Sequence, residues 1–62
     1  MSYETKQYII EYTRPNDFTY YMSDMIPGQD AYEAIDELKR YIVGFEVQNV
    51  FVKIDGNWNR DE

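Results

Sequence analysis

The side chains here that could do chemistry are almost all carboxylates, since the chain has neither histidine nor cysteine. Without an imidazole or a thiol, Ser-His-Asp and Cys-His nucleophile systems are out of reach, as are the usual zinc sites. Three scattered glycines cannot form a loop that cradles phosphate. Two carboxylates can divide acid and base roles only inside a cleft that tunes them apart. The one oxygen-rich spacing that suggests a metal is Asp55, Asn57, Asn59 and Asp61, every second residue, as in the first half of a calcium loop. The glycine required at the sixth position is Arg60, and no bidentate glutamate follows at the twelfth. The run therefore reads as a hairpin turn with a polar tail, and the expectation is no metal, no cofactor and no catalytic residue.

A second group of carboxylates is Asp30, Glu33, Asp36 and Glu37. Asp30, Glu33 and Glu37 stand at i, i+3 and i+7, which lines them along one side of a helix, where Glu33 and Glu37 repel mildly. Such a stripe can imitate a phosphate backbone and occupy the nucleic-acid site of a basic enzyme. It can equally be a solvated helix face, its acids placed for the dipole and balanced by Asp36–Arg40 and Glu37–Arg40 pairs. The second reading is the commoner use of charge on a helix and is preferred.

The element that must carry this stripe is a helix over about residues 30–43. Ala31, Ala34, Ile35, Leu38, Tyr41 and Ile42 recur at spacings of three and four, with the charged residues between them. Asp30 followed by Glu33 fits a cap of the capping-box kind. Pro27 and Gly28 fit a turn upstream, and Gly44 fits the position just past the end. Before the helix, residues 6–13 alternate as a strand, with Tyr8, Ile10 and Tyr12 on the core face and Gln7, Ile9 and Glu11 on the other. Arg14-Pro-Asn-Asp17 is a turn signal. A second strand is expected over 18–24, with Phe18, Tyr20 and Met22 inward.

After the helix, Val50, Val52 and Ile54 alternate in a strand over 49–55. Phe45 and Val47 are out of phase with that set. They imply either a bulge near Gln48 and Asn49 or, as preferred, membership of the connection. Asp55-Gly56 signals a tight hairpin leading to a short stub at 57–59. The predicted fold is one α+β domain of order ββαβ(β): a small antiparallel sheet of three strands, or four with the stub, and one helix packed on one face. The third strand pairs either with the first, giving order 2-1-3, or with the second by a crossover; the first is preferred. The two ends, 1–5 and 60–62, are expected to fray.

Sixty-two residues make one domain with a thin core and a stability of about 3–5 kcal/mol. With no disulfide to help, self-association into a homodimer is one route to stability. Twelve acids against six bases give a net charge of −6. That balance opposes direct binding to nucleic acid or to an anionic membrane and favours a basic protein partner. No apolar run approaches the length of a membrane span and the first residues do not resemble a signal peptide, so the expected location is the cytoplasm of the producing or a host cell.

Seven tyrosines, three phenylalanines and one tryptophan exceed what this core needs. Most serve as bulk with a wet hydroxyl edge. Ile9, Tyr21 and Phe51, on the predicted register, fall on the sheet face away from the helix and form a candidate partner-contact patch. Base stacking there would need a basic surround, which Glu11, Gln7 and Lys53 do not supply. The coarse pattern of hairpin, Glu-laden helix and Val-Phe-Val strand resembles small phage and prophage products. The reading that results is a non-enzymatic binding or regulatory protein acting by protein–protein contact. The alternatives are an acidic nucleic-acid mimic that inhibits a basic host or defence enzyme, working through Asp30, Glu33, Asp36 and Glu37, and a structural homodimer.

Overall fold

A computed structural model of the chain describes residues 5–61. It is a small α+β fold: one helix packed on a curled antiparallel sheet, in the order β1 (Lys6–Thr13), β2 (Tyr21–Met22), β3 (Ile26–Gly28), α1 (Ala31–Lys39), β4 (Glu46–Ile54), β5 (Asn57–Arg60). The strands run β2-β1-β4-β5 across the sheet, and β3 pairs with the other half of β1 on the same side as β2. β1 and the long strand after the helix are therefore neighbours, the preferred order.

β1 forms because aromatic and β-branched residues alternate with polar ones. Tyr8, Ile10 and Tyr12 are buried as expected. They meet Ile26, Val52 and the helix residues Ala34 and Leu38 in the core, where Ile10 is fully enclosed. The helix lies against β3 and β1. Gly28 permits its close approach: a Cβ there would sit 3.2 Å from the Asp30 carbonyl oxygen and 3.3 Å from the Ala34 backbone nitrogen. Pro27 and Gly28 thus belong to β3 and not to a turn. Proline is tolerated because an edge strand can spare a donor.

The helix starts where the sequence places it. Asp30 is the N-cap in extended conformation, and its carboxylate accepts the Glu33 backbone N–H at 2.9 Å, the usual way of satisfying an orphan donor. It ends earlier than expected. Regular helix stops at Lys39. The backbone N–H groups of Tyr41 and Ile42 both donate to the Leu38 carbonyl in a tightened last turn. Tyr41 consequently leaves the apolar stripe and is 77% exposed, while Ile42 is only half-buried.

The second predicted strand is corrected in both extent and phase. The Asp17 N–H donates to the Arg14 carbonyl at 3.2 Å. Pro15 is second and Asn16, with φ 61°, is third, the arrangement of a type II turn. Asp17 then bends the next residues: its carboxylate accepts the Thr19 N–H at 2.9 Å and the Tyr21 hydroxyl at 2.6 Å. The loop therefore lasts to Tyr20, and Phe18 is 98% exposed. Pairing begins at Tyr12 with Tyr21. Directly opposed residues share a face, so Tyr21 lies on the helix side.

The strand after the helix also differs from the preferred reading. β4 starts at Glu46, and the register with β1 shifts between Glu11 and Tyr12, so that Gln48 is the extra residue of a bulge. The bulge puts Val47 opposite Tyr12, in phase with Val50 and Val52, and Phe45 sets its ring edge-on to Tyr12 at 5.5 Å. At the far end, Asp55 (φ 50°) and Gly56 (φ 81°) both take left-handed backbone, the two-residue hairpin geometry that matches strand twist. The expected stub is a full edge strand through Arg60, and the Asp61 N–H donates to the Val50 carbonyl, so this end is tied down up to Asp61. The fraying expected of residues 1–4 and 62 falls outside the described residues. No helix among the described residues is long and apolar enough to cross a membrane.

Candidate functional site

The edge of the sheet beside the helix carries a concavity. β2 and β3 are two pieces of one interrupted strand. Tyr12 with Tyr21 and Glu11 with Met22 pair in one register, Tyr8 with Ile26 in a register one residue longer. The extra residue is accommodated at Ser23-Asp24-Met25, where the ladder opens. Ser23 repairs the break: its N–H donates to the Ile10 carbonyl at 2.9 Å, and its hydroxyl accepts the Ile10 N–H at 2.9 Å. Serine does this because its short hydroxyl mimics a backbone acceptor.

The opened edge and the last turns of α1 leave between them a groove of about 550 Å³, within the range of ligand-binding clefts. Its floor is the buried Tyr12, Ile26 and Leu38 with the half-buried Ile42. Its rim is Met25 on the strand side and Tyr41 on the helix side, both exposed; Met22 borders the groove but, opposed to Glu11, lies on the other sheet face and not inward as expected. Asp24 and Glu37 add one carboxylate from each wall, and no Lys or Arg among the described residues lines the groove. Glu37 has Arg40 at 3.6 Å, an exposed i,i+3 pair of little strength. Asp24 has no salt-bridge partner among the described residues. The surface thus offers apolar area on an adaptable methionine, an aromatic rim and negative charge.

One end of the groove is stiffened by an aromatic stack. Tyr12 and Tyr21 lie nearly parallel with ring centroids 5.7 Å apart, an offset-stacking distance. The Arg14 guanidinium sits 5.4 Å from the Tyr21 ring centroid, close enough for cation–π attraction. The Tyr21 hydroxyl bond and the Thr19 N–H hold the Asp17 carboxyl below its usual range, and the same hydroxyl bond pushes the Tyr21 phenol up. Burial, and then the charges of Asp61, Asp30 and Glu33, raise the Tyr8 phenol in the core.

The three residues of the predicted contact patch do not come together. Ile9 and Phe51 are directly opposed on the uncovered sheet face, both half-buried. Tyr21 is on the other face, stacked on Tyr12. Across from Phe51 and Lys53 on that uncovered face stand Arg60 and Trp58 of β5. The predicted acidic stripe is on one helix, but most of its members have local work. Asp30 caps the helix, Asp36 has Lys39 at 4.0 Å and Glu37 has Arg40. Pairing of Asp36 with Lys39 replaces the expected Asp36–Arg40. Asp55, Asn57, Asn59 and Asp61 are spread along a turn and an extended strand. An extended strand sets alternate residues roughly 6–7 Å apart in a line, instead of around one ion. No group of acidic side chains among the described residues is arranged to hold a metal.

Sequence reasoning missed Met22, Asp24, Met25 and Tyr41 as members of one site. A signal was present in Ser23-Asp24, two turn-forming residues between two methionines, which marks a break in an apolar run. Tyr41 gave no signal, because its period matched the buried stripe. Comparison with known proteins finds no matching family model, no matching curated protein and no matching solved structure.

Proposed function

We propose that this is a non-enzymatic binding or regulatory protein that acts by protein–protein contact through the groove between α1 and the interrupted β2–β3 edge. The observation that carries the reading is the exposure of Met25 and Tyr41, 57% and 77%, directly above a buried apolar floor. Exposed large apolar side chains gathered around a concavity tend to mark a contact surface, whereas the same residues scattered singly would not. Methionine suits this use, since its unbranched thioether repacks against different partners. The test is capture from extracts of the producing or host cell by the tagged wild type and by a Met25→Ser, Tyr41→Ser double variant. Both positions are exposed, so the variant keeps its fold and loses the partner. Equal capture by a folded double variant would remove the groove from consideration.

The Ile9–Phe51 pair favours a second surface, the uncovered sheet face. There Trp58 and Phe51 offer aromatic area beside Lys53 and Arg60, a composition that suits an interface. Loss of capture on Phe51→Ser, with Met25→Ser and Tyr41→Ser silent, would select that face.

A further inference from the structure

We infer that the occupant of the groove is a cationic amphipathic segment: a short stretch of a partner protein presenting bulky apolar side chains flanked by lysine or arginine. The inference rests on the groove reading and adds the chemistry of the partner. Its basis is charge complementarity. The groove is apolar along its floor, carries Asp24 on one wall and Glu37 on the other, and has no basic residue lining it among the described residues. A cation entering there meets a carboxylate on either side. Arg40, held by an exposed pair to Glu37, is easily displaced by a partner's guanidinium. The net charge of −6 adds a long-range field that concentrates cations and repels anions.

The same charge argues against the other occupants. A second copy would bring an equal −6, and a two-fold interface over this groove would face Asp24 and Glu37 with themselves. Nucleic acid and anionic lipid are repelled for the same reason. A neutral apolar segment would leave the carboxylates desolvated without partners, a cost that a cation removes. The rim methionine Met25 provides the adaptable apolar contact that helix-in-groove binders of basic segments use.

The probes are two synthetic helical peptides of the same length and apolar pattern, one of leucine and lysine, the other of leucine and glutamate. Each is titrated into the full chain by calorimetry at low and at physiological salt, with sedimentation run in parallel. The expected result is one-to-one binding of the leucine–lysine peptide, weakened by salt, with no binding of its glutamate counterpart. An Asp24→Lys, Glu37→Lys variant should weaken it about tenfold or more. A Glu33→Lys, Glu46→Lys variant, with the same change in net charge away from the groove, should weaken it less. Equal loss in both charge variants, binding of the glutamate peptide, or no binding of either overturns the cationic occupant. If Met25→Ser with Tyr41→Ser abolishes binding while Asp24→Lys with Glu37→Lys leaves it intact, the groove stands and only its charge preference fails. If the Met25 and Tyr41 changes leave peptide binding untouched, the groove reading itself fails. A dimer that Tyr41→Ser dissolves would assign the groove to a second copy.

Discussion

Ser23→Ala removes a single oxygen from the place where the sheet edge is interrupted. The Ile10 N–H, on a fully enclosed core residue, donates to that oxygen at 2.9 Å. Alanine retains the reverse bond, from the backbone N–H at position 23 to the Ile10 carbonyl, and leaves the Ile10 N–H without an acceptor. A buried donor stripped of its partner costs about 1–3 kcal/mol. Ser23 is half-buried, so water reaches part of the gap, and the lower portion, about 1–2 kcal/mol, is expected. Against a total of about 3–5 kcal/mol for a domain of this size, that is roughly a fifth to two thirds of the stability. At roughly 4–8 °C per kcal/mol, the Tm should fall by about 4–16 °C. Urea unfolding followed by circular dichroism reads the change, with the slope m unaltered because the surface exposed on unfolding is the same. Ser23→Thr keeps a hydroxyl and should recover most of the loss. An alanine variant within a few tenths of a kcal/mol of the wild type would refute the idea that the hydroxyl completes the ladder.

Three further outcomes are expected. Asp30→Ala deletes the cap on the Glu33 N–H and should cost about 1 kcal/mol, visible as a lower urea midpoint and a loss of helical signal. Gly28→Ala places a methyl 3.2 Å from the Asp30 carbonyl oxygen and 3.3 Å from the Ala34 nitrogen, backbone atoms that cannot yield as a side-chain tip would. About 1–3 kcal/mol of destabilisation should follow, and a stabilised alanine variant would contradict the packing. Asp17 has its carboxyl pKa lowered from 3.8 by the Tyr21 hydroxyl and the Thr19 N–H. Its contribution is therefore complete above the unfolded value and disappears as pH falls through the folded one. Thermal unfolding of wild type and Asp17→Asn should differ most above about pH 4 and converge as pH falls below it through the lowered folded value.

Some of this protein was legible in its residues alone, because the relevant physics is local. The helix start was readable: the apolar spacing defines one stripe, and the Asp30 carboxylate caps Glu33 within the same turn. The Asp55-Gly56 hairpin was readable because left-handed backbone at two consecutive positions has few hosts. The inward set Tyr8, Ile10 and Tyr12 was readable because the other face of β1 is mainly polar. The α+β class and the pairing of β1 with the strand after the helix followed from those three elements.

What only the tertiary structure decided was the phase of the other strands. A strand repeats every two residues, so one inserted or omitted residue exchanges its faces. Around Tyr20 and Tyr21 both phases are aromatic, and composition cannot choose between them. The Asp17 bonds to Thr19 and Tyr21 extend the loop, and pairing with Tyr12 then turns Tyr21 inward. At Gln48 a bulge realigns Val47 with the core, a choice set by the partner strand. The groove exists only because a second interruption, at Ser23–Met25, faces the end of a helix whose last turn tightens at Leu38. Its walls come from segments ten or more residues apart, and no local pattern records that they meet.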